Sequence, residues 1–315
     1  MLIIASALAA IIPMLLYLFL IWKFDRYDRE PLKFLFINYL WGAIGAIVLS
    51  IIGSLFLSTI ASVFVKDQSS LAKLGAIVFA PLVEETMKGS FLIITVASRK
   101  FDNITDGIVY GGAIGLGFGM TENFFYFVSY AEVVQSWLML IIVRSLFSAV
   151  MHCVSTAILG AFFGYAKFKS INKKIIFGFL GLLIAIFIHS AWNFSLSFKH
   201  FAPLGFLFLF LSVVIFITAF SISVMGERKI IFSELQGEVD NGLIPQMHLE
   251  ILSSSKRENK GWLDESIRKI YIKAATTLAF RKMQLKNASG RSKVYYENDI
   301  ENYRNFIIKL LSDNK

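Results

Sequence analysis

A chain of 315 residues with 56% hydrophobic but only 17% charged residues, and a mean hydropathy of +0.65, is neither disordered nor an ordinary soluble domain, which carries about 25% charge. Its single cysteine, Cys153, excludes an internal disulfide and a cysteine-based zinc site. The formal charge of +9 is unevenly spread: residues 1–225 hold 15 Lys and Arg with 10 Asp and Glu, and residues 226–315 hold 16 with 12. This division predicts a transmembrane domain over 1–225 and a soluble tail over 226–315.

A membrane-spanning helix needs ~20 consecutive, mostly apolar residues. Seven stretches meet this, roughly 2–22, 34–58, 72–97, 104–130, 137–165, 174–198 and 203–225. The predicted fold class is therefore all-α: a polytopic transmembrane helix bundle with a small helical cytoplasmic C-terminal domain. The first stretch has no positive leader and runs on into apolar sequence, so it reads as an anchor rather than a cleaved signal. The first, third and fifth loops hold ten Lys and Arg, among them Lys23, Arg99 and Lys174; the opposite loops hold Lys66, Lys73 and Lys199. The positive-inside rule then puts the N-terminus outside and the tail in the cytoplasm of a multi-pass cell-membrane protein. In the tail, Trp262, Ile267, Ile270, Tyr271, Ala274 and Leu278, and then Tyr303, Phe306, Ile307 and Leu310, follow helical spacing. Its positive balance fits anionic lipid or the inner side of a membrane, and no nucleic-acid partner is expected.

Charge at mid-bilayer costs ~2.5–3.5 kcal/mol per residue on insertion scales, so it marks function and faces the protein interior. Four consecutive spans carry such groups: Glu84, Glu85 and Lys88; Glu122 and Asn123; Arg144 and His152; His189 and Asn193. Lys88 lies four residues from Glu84 and three from Glu85, and can pair with either. His189 and Asn193 share a helix face, and Arg144, Ser148, His152 and Thr156 recur every four residues. Gly111, Gly115 and Gly119 recur likewise, a spacing that lets helices approach closely. Structural readings stand beside these: a buried ion pair at Lys88, a hydrogen-bonded bundle histidine at His152, an interhelical clamp at His189 and Asn193, and a structural Arg144 paired with Glu122.

The motifs Glu84-Glu85-Thr86-Met87-Lys88 (EExxK), Phe118 to Glu122 (FxxxE) and His189 to Asn193 (HxxxN), one per span, resemble the PrsW intramembrane protease family. His152 lies in the span between the last two. The first loop, Asp25 to Pro31, looks like that family's too. The family is itself similar to the CAAX-processing (CPBP/Abi) glutamate proteases. The resemblance implies an endopeptidase acting on a membrane-anchored protein, such as an anti-sigma factor at its first cleavage site. It implies a catalytic pair of Glu84, the base that activates water, and Glu85, which positions it, with Lys88 and Asn123 in support, and His189 and Asn193 as oxyanion donors. Glu122 stands where the CAAX enzymes have a histidine; it would share a proton with Glu84 or Glu85 or act as the acid, and His152 would supply the imidazole.

No cofactor is expected on this reading. The alternative is a zinc-dependent protease with Glu85, His152 and His189 as ligands, although no HExxH is present. A transporter or proton relay would also bury such groups, but the chain shows no internal repeat. Oligomeric state is open at this level.

Overall fold

The computed structural model describes residues 2–130 and 134–312; these are helical with short connections, and no strand occurs among them. They form two compact units, residues 2–25 with 30–130 and 134–220, and residues 26–29 with 221–312. Among the described residues five helices are long and apolar enough to cross a membrane: Leu2–Phe24, Leu32–Phe64, Val134–Ala166, Ile171–Ser197 and Ala202–Asp240. The other two predicted spans are also helical, but each breaks its apolar run. One carries Glu84, Glu85 and Lys88; the other is rich in glycine.

In the first unit, α1 (Leu2–Phe24) is followed by α2 (Leu32–Leu40), which passes through a π-helical turn (Trp41–Ala46) into α3 (Ile47–Phe64). Then α4 (Gln68–Leu74) passes through a second π turn (Gly75–Phe79) into α5 (Ala80–Ala97), with Pro81 in the first turn, where its missing N–H costs nothing. The central helix is α6 (Ile104–Ser129), buried almost continuously from Thr105 to Gly119. A capping box starts it: Asp106 N donates to Asn103 Oδ1, and the Asp106 carboxylate accepts from the Asn103 amide. A third π turn (Arg144–Ser148) joins α7 (Val134–Val143) to α8 (Ala149–Ala166); α9 (Ile171–Ser197) and α10 (Ala202–Asp240) follow. At 39 residues, α10 is about 58 Å long, well beyond a ~30 Å hydrocarbon core.

The Asp25–Glu30 turn is pinned to α6. Trp22 Nε1 donates to Glu30 O at 2.8 Å, Glu30 N to Asp25 Oδ2 at 3.1 Å, and the Tyr110 hydroxyl to Glu30 Oε2.

The tightest seam in this unit runs between α6 and α8. A Cβ placed on Gly107, Gly111 or Gly115 would lie 2.0, 2.4 or 2.2 Å from the carbonyl oxygens of Gly160, Thr156 and His152. The glycine column thus brings two backbones into contact, as its spacing predicts. Gly115→Ala pushes against backbone that carries His152. It is expected to cost at least the ~1–3 kcal/mol of core overpacking and to lower the thermal midpoint in detergent, with activity falling in parallel.

The second unit contains α11 (Gln246–Leu252), α12 (Glu265–Leu285) and α13 (Gly290–Ser312) with the later part of α10. Ile231, Leu235, Leu249, Tyr271, Leu278 and Ile307 are among its core residues. Two of the helical stripes read from sequence are α12 and α13, although Ile270 and Phe306 point outward. The buried Glu238 accepts from Lys282 at 2.7 Å and from Arg304 at 2.8 and 3.0 Å.

His248 lies against the Trp262 and Tyr271 rings, with Nδ1 3.2 Å from the Tyr271 hydroxyl, and burial pushes it below the ordinary histidine range. The unfolded chain therefore binds this proton first as pH falls. The stability from a neutral His248 is present above about pH 6.5 and is lost as pH drops through the folded value. Amide exchange in α12 of the full chain is expected to speed up between pH 7 and pH 5, and less so in His248→Gln.

Candidate active site

Glu85 and Lys88, on the buried face of α5, are fully inaccessible, and Lys88 Nζ donates to Glu85 Oε1 at 2.5 Å. Two charges in an apolar interior are tolerable only if their remaining hydrogen-bonding capacity is met. Here it is. Glu85 also accepts from Ser155 and Thr156, each at 3.2 Å, and from His189 Nδ1 at 2.9 Å. Lys88 also donates to His152 Nδ1 at 3.0 Å, and its ammonium sits 4.5 Å from the Phe118 ring centroid.

These bonds fix both imidazole tautomers. An ammonium can only donate, so His152 Nδ1 accepts and Nε2 carries the proton, which goes to Glu122 Oε2 at 2.7 Å. Glu85 accepts on every side, so His189 carries its proton on Nδ1. The lone pair of His189 Nε2 then faces Glu84 Oε2, 3.8 Å away.

Glu122 belongs to a second cluster. Arg144 Nη2 donates to Glu122 Oε2 at 2.6 Å, Arg144 Nε to Asn123 Oδ1 at 3.0 Å, and the guanidinium stacks 3.6 Å from the Tyr126 ring centroid. Glu122 thus accepts hydrogen bonds from Arg144 and His152. Arg144 and Ser148 bracket the third π turn, a feature that recurs at functional sites.

Glu84 differs from both other carboxylates. It forms no ion pair with Lys or Arg among the described residues, and its buried Oε2 has no hydrogen-bond partner. It lines a cavity of about 280 Å³ with Glu122, Arg144, His152, His189 and Asn193. Asn193 Nδ2 donates to Ala76 O, in the second π turn, at 2.8 Å, which leaves its other N–H free of that bond. Lys88 and Glu85 lie behind this cavity and Asn123 lies behind Arg144. Five of the six residues read as catalytic from the sequence thus line one cavity, and the sixth, Glu85, is hydrogen-bonded to His189 behind it, with the supporting pair Lys88 and Asn123 also behind. The Arg144–Glu122 pair is the one the sequence suggested, while the parts played by Tyr126, Ser155 and Thr156 were missed, although the stripe from Arg144 to Thr156 was the signal for the last of them.

Residues 30–221, which hold every one of these groups, match the sequence profile of the PrsW family, described as intramembrane metalloproteases. The chain belongs to the PrsW family. It is an intramembrane peptidase, and the reading as a transporter gives way to this membership. Protease PrsW of Clostridioides difficile (strain 630) is 32% identical over 195 residues, 61% of this chain and 79% of that protein. The Geobacillus kaustophilus protein of the same name is 28% identical over 56% of this chain and 72% of its own, and the Bacillus subtilis (strain 168) protein 26% identical over 62% and 83%. No solved structure matches the chain.

The family description implies a metal, and the donor atoms of this PrsW-family chain allow a test. Glu84, His152 and His189 each bring one ligand atom within 4.8 Å of the others. Glu85, which the zinc alternative named in place of Glu84, has both oxygens bonded to Lys88, His189, Ser155 and Thr156. His152 has both nitrogens engaged, one of them by a cation. Glu84 Oε2 and His189 Nε2 are the two uncommitted donors in the triad, whereas a catalytic zinc takes three protein ligands. Glu84 and His189 could hold a zinc as they stand, and His152 would complete three ligands by releasing Lys88 or Glu122.

Proposed function

We propose that this PrsW-family protease hydrolyses a membrane-anchored protein with water activated by Glu84, in the manner of the related CAAX-processing glutamate proteases. One observation carries the reading: Glu84 Oε2, buried and without a hydrogen-bond partner, faces the His189 Nε2 lone pair across 3.8 Å at the wall of a cavity. A water between two such acceptors donates one proton to each, which aims its oxygen lone pairs outward.

Glu84 takes a proton from this water as its oxygen bonds to the scissile carbonyl carbon. The free N–H of Asn193 donates to the developing oxyanion. The proton held by Glu84 passes to the amide nitrogen as the C–N bond breaks, leaving a new carboxylic acid, whose proton then goes to the new amine, and the original Glu84 carboxylate. His189 holds the water because Glu85 fixes its ring, and Lys88 holds Glu85. Glu122 and His152 set the electrostatics of the far wall.

The chain is read as crossing the membrane seven times, with the N-terminus outside and residues 226–315 as a cytoplasmic helical domain. The excess of Lys and Arg in alternate loops supports this. An anti-sigma factor cleaved at its first site is the substrate class the family likeness suggests.

Purified protein in liposomes, given a single-span substrate, is expected to lose about 10²–10³-fold in kcat on Asn193→Ala. Activity is expected to survive a strong chelator. The grouping of Glu84, His152 and His189 favours zinc as the second reading, and loss on chelation with recovery on added zinc would establish it.

A further inference from the structure

A second concavity in the membrane unit lies on the outer side of α5. It is an apolar groove of about 740 Å³ between α5, α8 and α9. From Ile171 at its mouth to Leu182 at its inner end it runs eleven residues along α9, about 17 Å. That is roughly half of a ~30 Å hydrocarbon core, the depth of one leaflet. Its hydroxyls are turned away: Thr86 Oγ1 bonds Leu82 O and Ser90 Oγ bonds Met87 O, each within its own helix. The interior therefore offers an occupant an almost wholly apolar surface of aliphatic side chains with the rings of Phe163 and Phe179.

The mouth is different. Lys167 and Lys174 line it, and Lys169 and Lys173 belong to the same short stretch of sequence. Lys167 Nζ spends two of its three donors on Val96 O and Ser98 O, the free carbonyls at the end of α5, and keeps one. No carboxylate lines the groove.

We propose that this groove is a site for an anionic diacyl phospholipid, its tails along α5 and α9 and its phosphate at Lys167 and Lys174. Basic pockets between membrane helices at the bilayer surface bind anionic headgroups for this reason. The charge complementarity does not depend on which leaflet the mouth opens to. The groove is separate from the cavity that holds Glu84, although α5 forms a wall of both.

The test uses the full chain purified in detergent and mixed with vesicles of equal phosphatidylglycerol and phosphatidylcholine, with retained lipid counted by native mass spectrometry. The parental protein is expected to retain one phosphatidylglycerol, favoured about tenfold over phosphatidylcholine. Lys174→Gln should lower that preference about fivefold, the effect of one basic residue at a membrane surface. Ser90→Phe, which fills the apolar part, should reduce retention of both lipids alike. Equal retention of both lipids by the parental protein overturns the proposal, as does a lipid complement that both variants leave unchanged. A photoreactive group at Ile93 that captures a co-purified transmembrane peptide instead of phospholipid also overturns it.

Discussion

Glu84→Gln is expected to lower kcat for peptide cleavage by about 10³-fold while leaving the fold intact, within the range that loss of a general base produces. The two adjacent glutamates make this a sharp test, because the structure gives them opposite situations. Glu84 has no cation and no hydrogen bond at Oε2, so its replacement by an isosteric amide breaks no charged pair. Glu85 accepts from Lys88, His189, Ser155 and Thr156, so Glu85→Gln leaves a buried ammonium without its counter-charge. The first variant should retain the parental thermal midpoint and lose activity. The second should lose stability first, with activity falling because the protein no longer holds its shape. Cleavage by Glu84→Gln at anything near the parental rate, in protein of unchanged melting behaviour, would remove Glu84 as the base.

The largest stability effect is expected at Lys88. Lys88→Met keeps the side chain's length and apolar stem but deletes a wholly buried cation from between Glu85 and His152. Breaking a buried pair on one side typically costs 3–5 kcal/mol, since the surviving charge stays desolvated. His152 also loses the donor that fixes its tautomer. Pairing Lys88→Met with Glu85→Gln removes both charges and should recover part of the loss. A denaturation cycle over the two single variants and the double variant reads that coupling directly. An additive cycle would mean the two residues do not interact as the structure has them.

Much of the fold is written in the chain as uninterrupted apolar length. The helices at Leu2–Phe24, Leu32–Phe64 and Val134–Ala166 each cover a predicted span and extend it by a few residues, and Ile171–Ser197 covers all but the last residue of another. At Ala202–Asp240 the helix runs well past the apolar stretch, because nothing in the sequence after residue 225 breaks it. Hydropathy fades at α5 and α6, since the polar and glycine residues that build the cavity dilute the signal there. Motif order pointed to the residues that meet, but not to their pairing. Lys88 suits Glu84 at four residues and Glu85 at three equally well, and only the rotation of α5 within the bundle decides for Glu85. The π turns left no mark on a 3.6-residue periodicity, so the approach of Arg144 to Glu122 was readable as a pair but not as part of the cavity wall. The donors Ser155 and Thr156 were hidden because hydroxyls on membrane helices usually bond their own backbone.

The glycine column between α6 and α8 has a mechanical corollary. Where carbonyl oxygens already sit in the space a methyl group would need, two rods can neither slide nor part without breaking contact along several turns. Glu122 and His152 ride on those rods, so their separation is expected to vary less during turnover than distances across to α5, which follows the π turn at Gly75–Phe79 where Asn193 bonds Ala76 O.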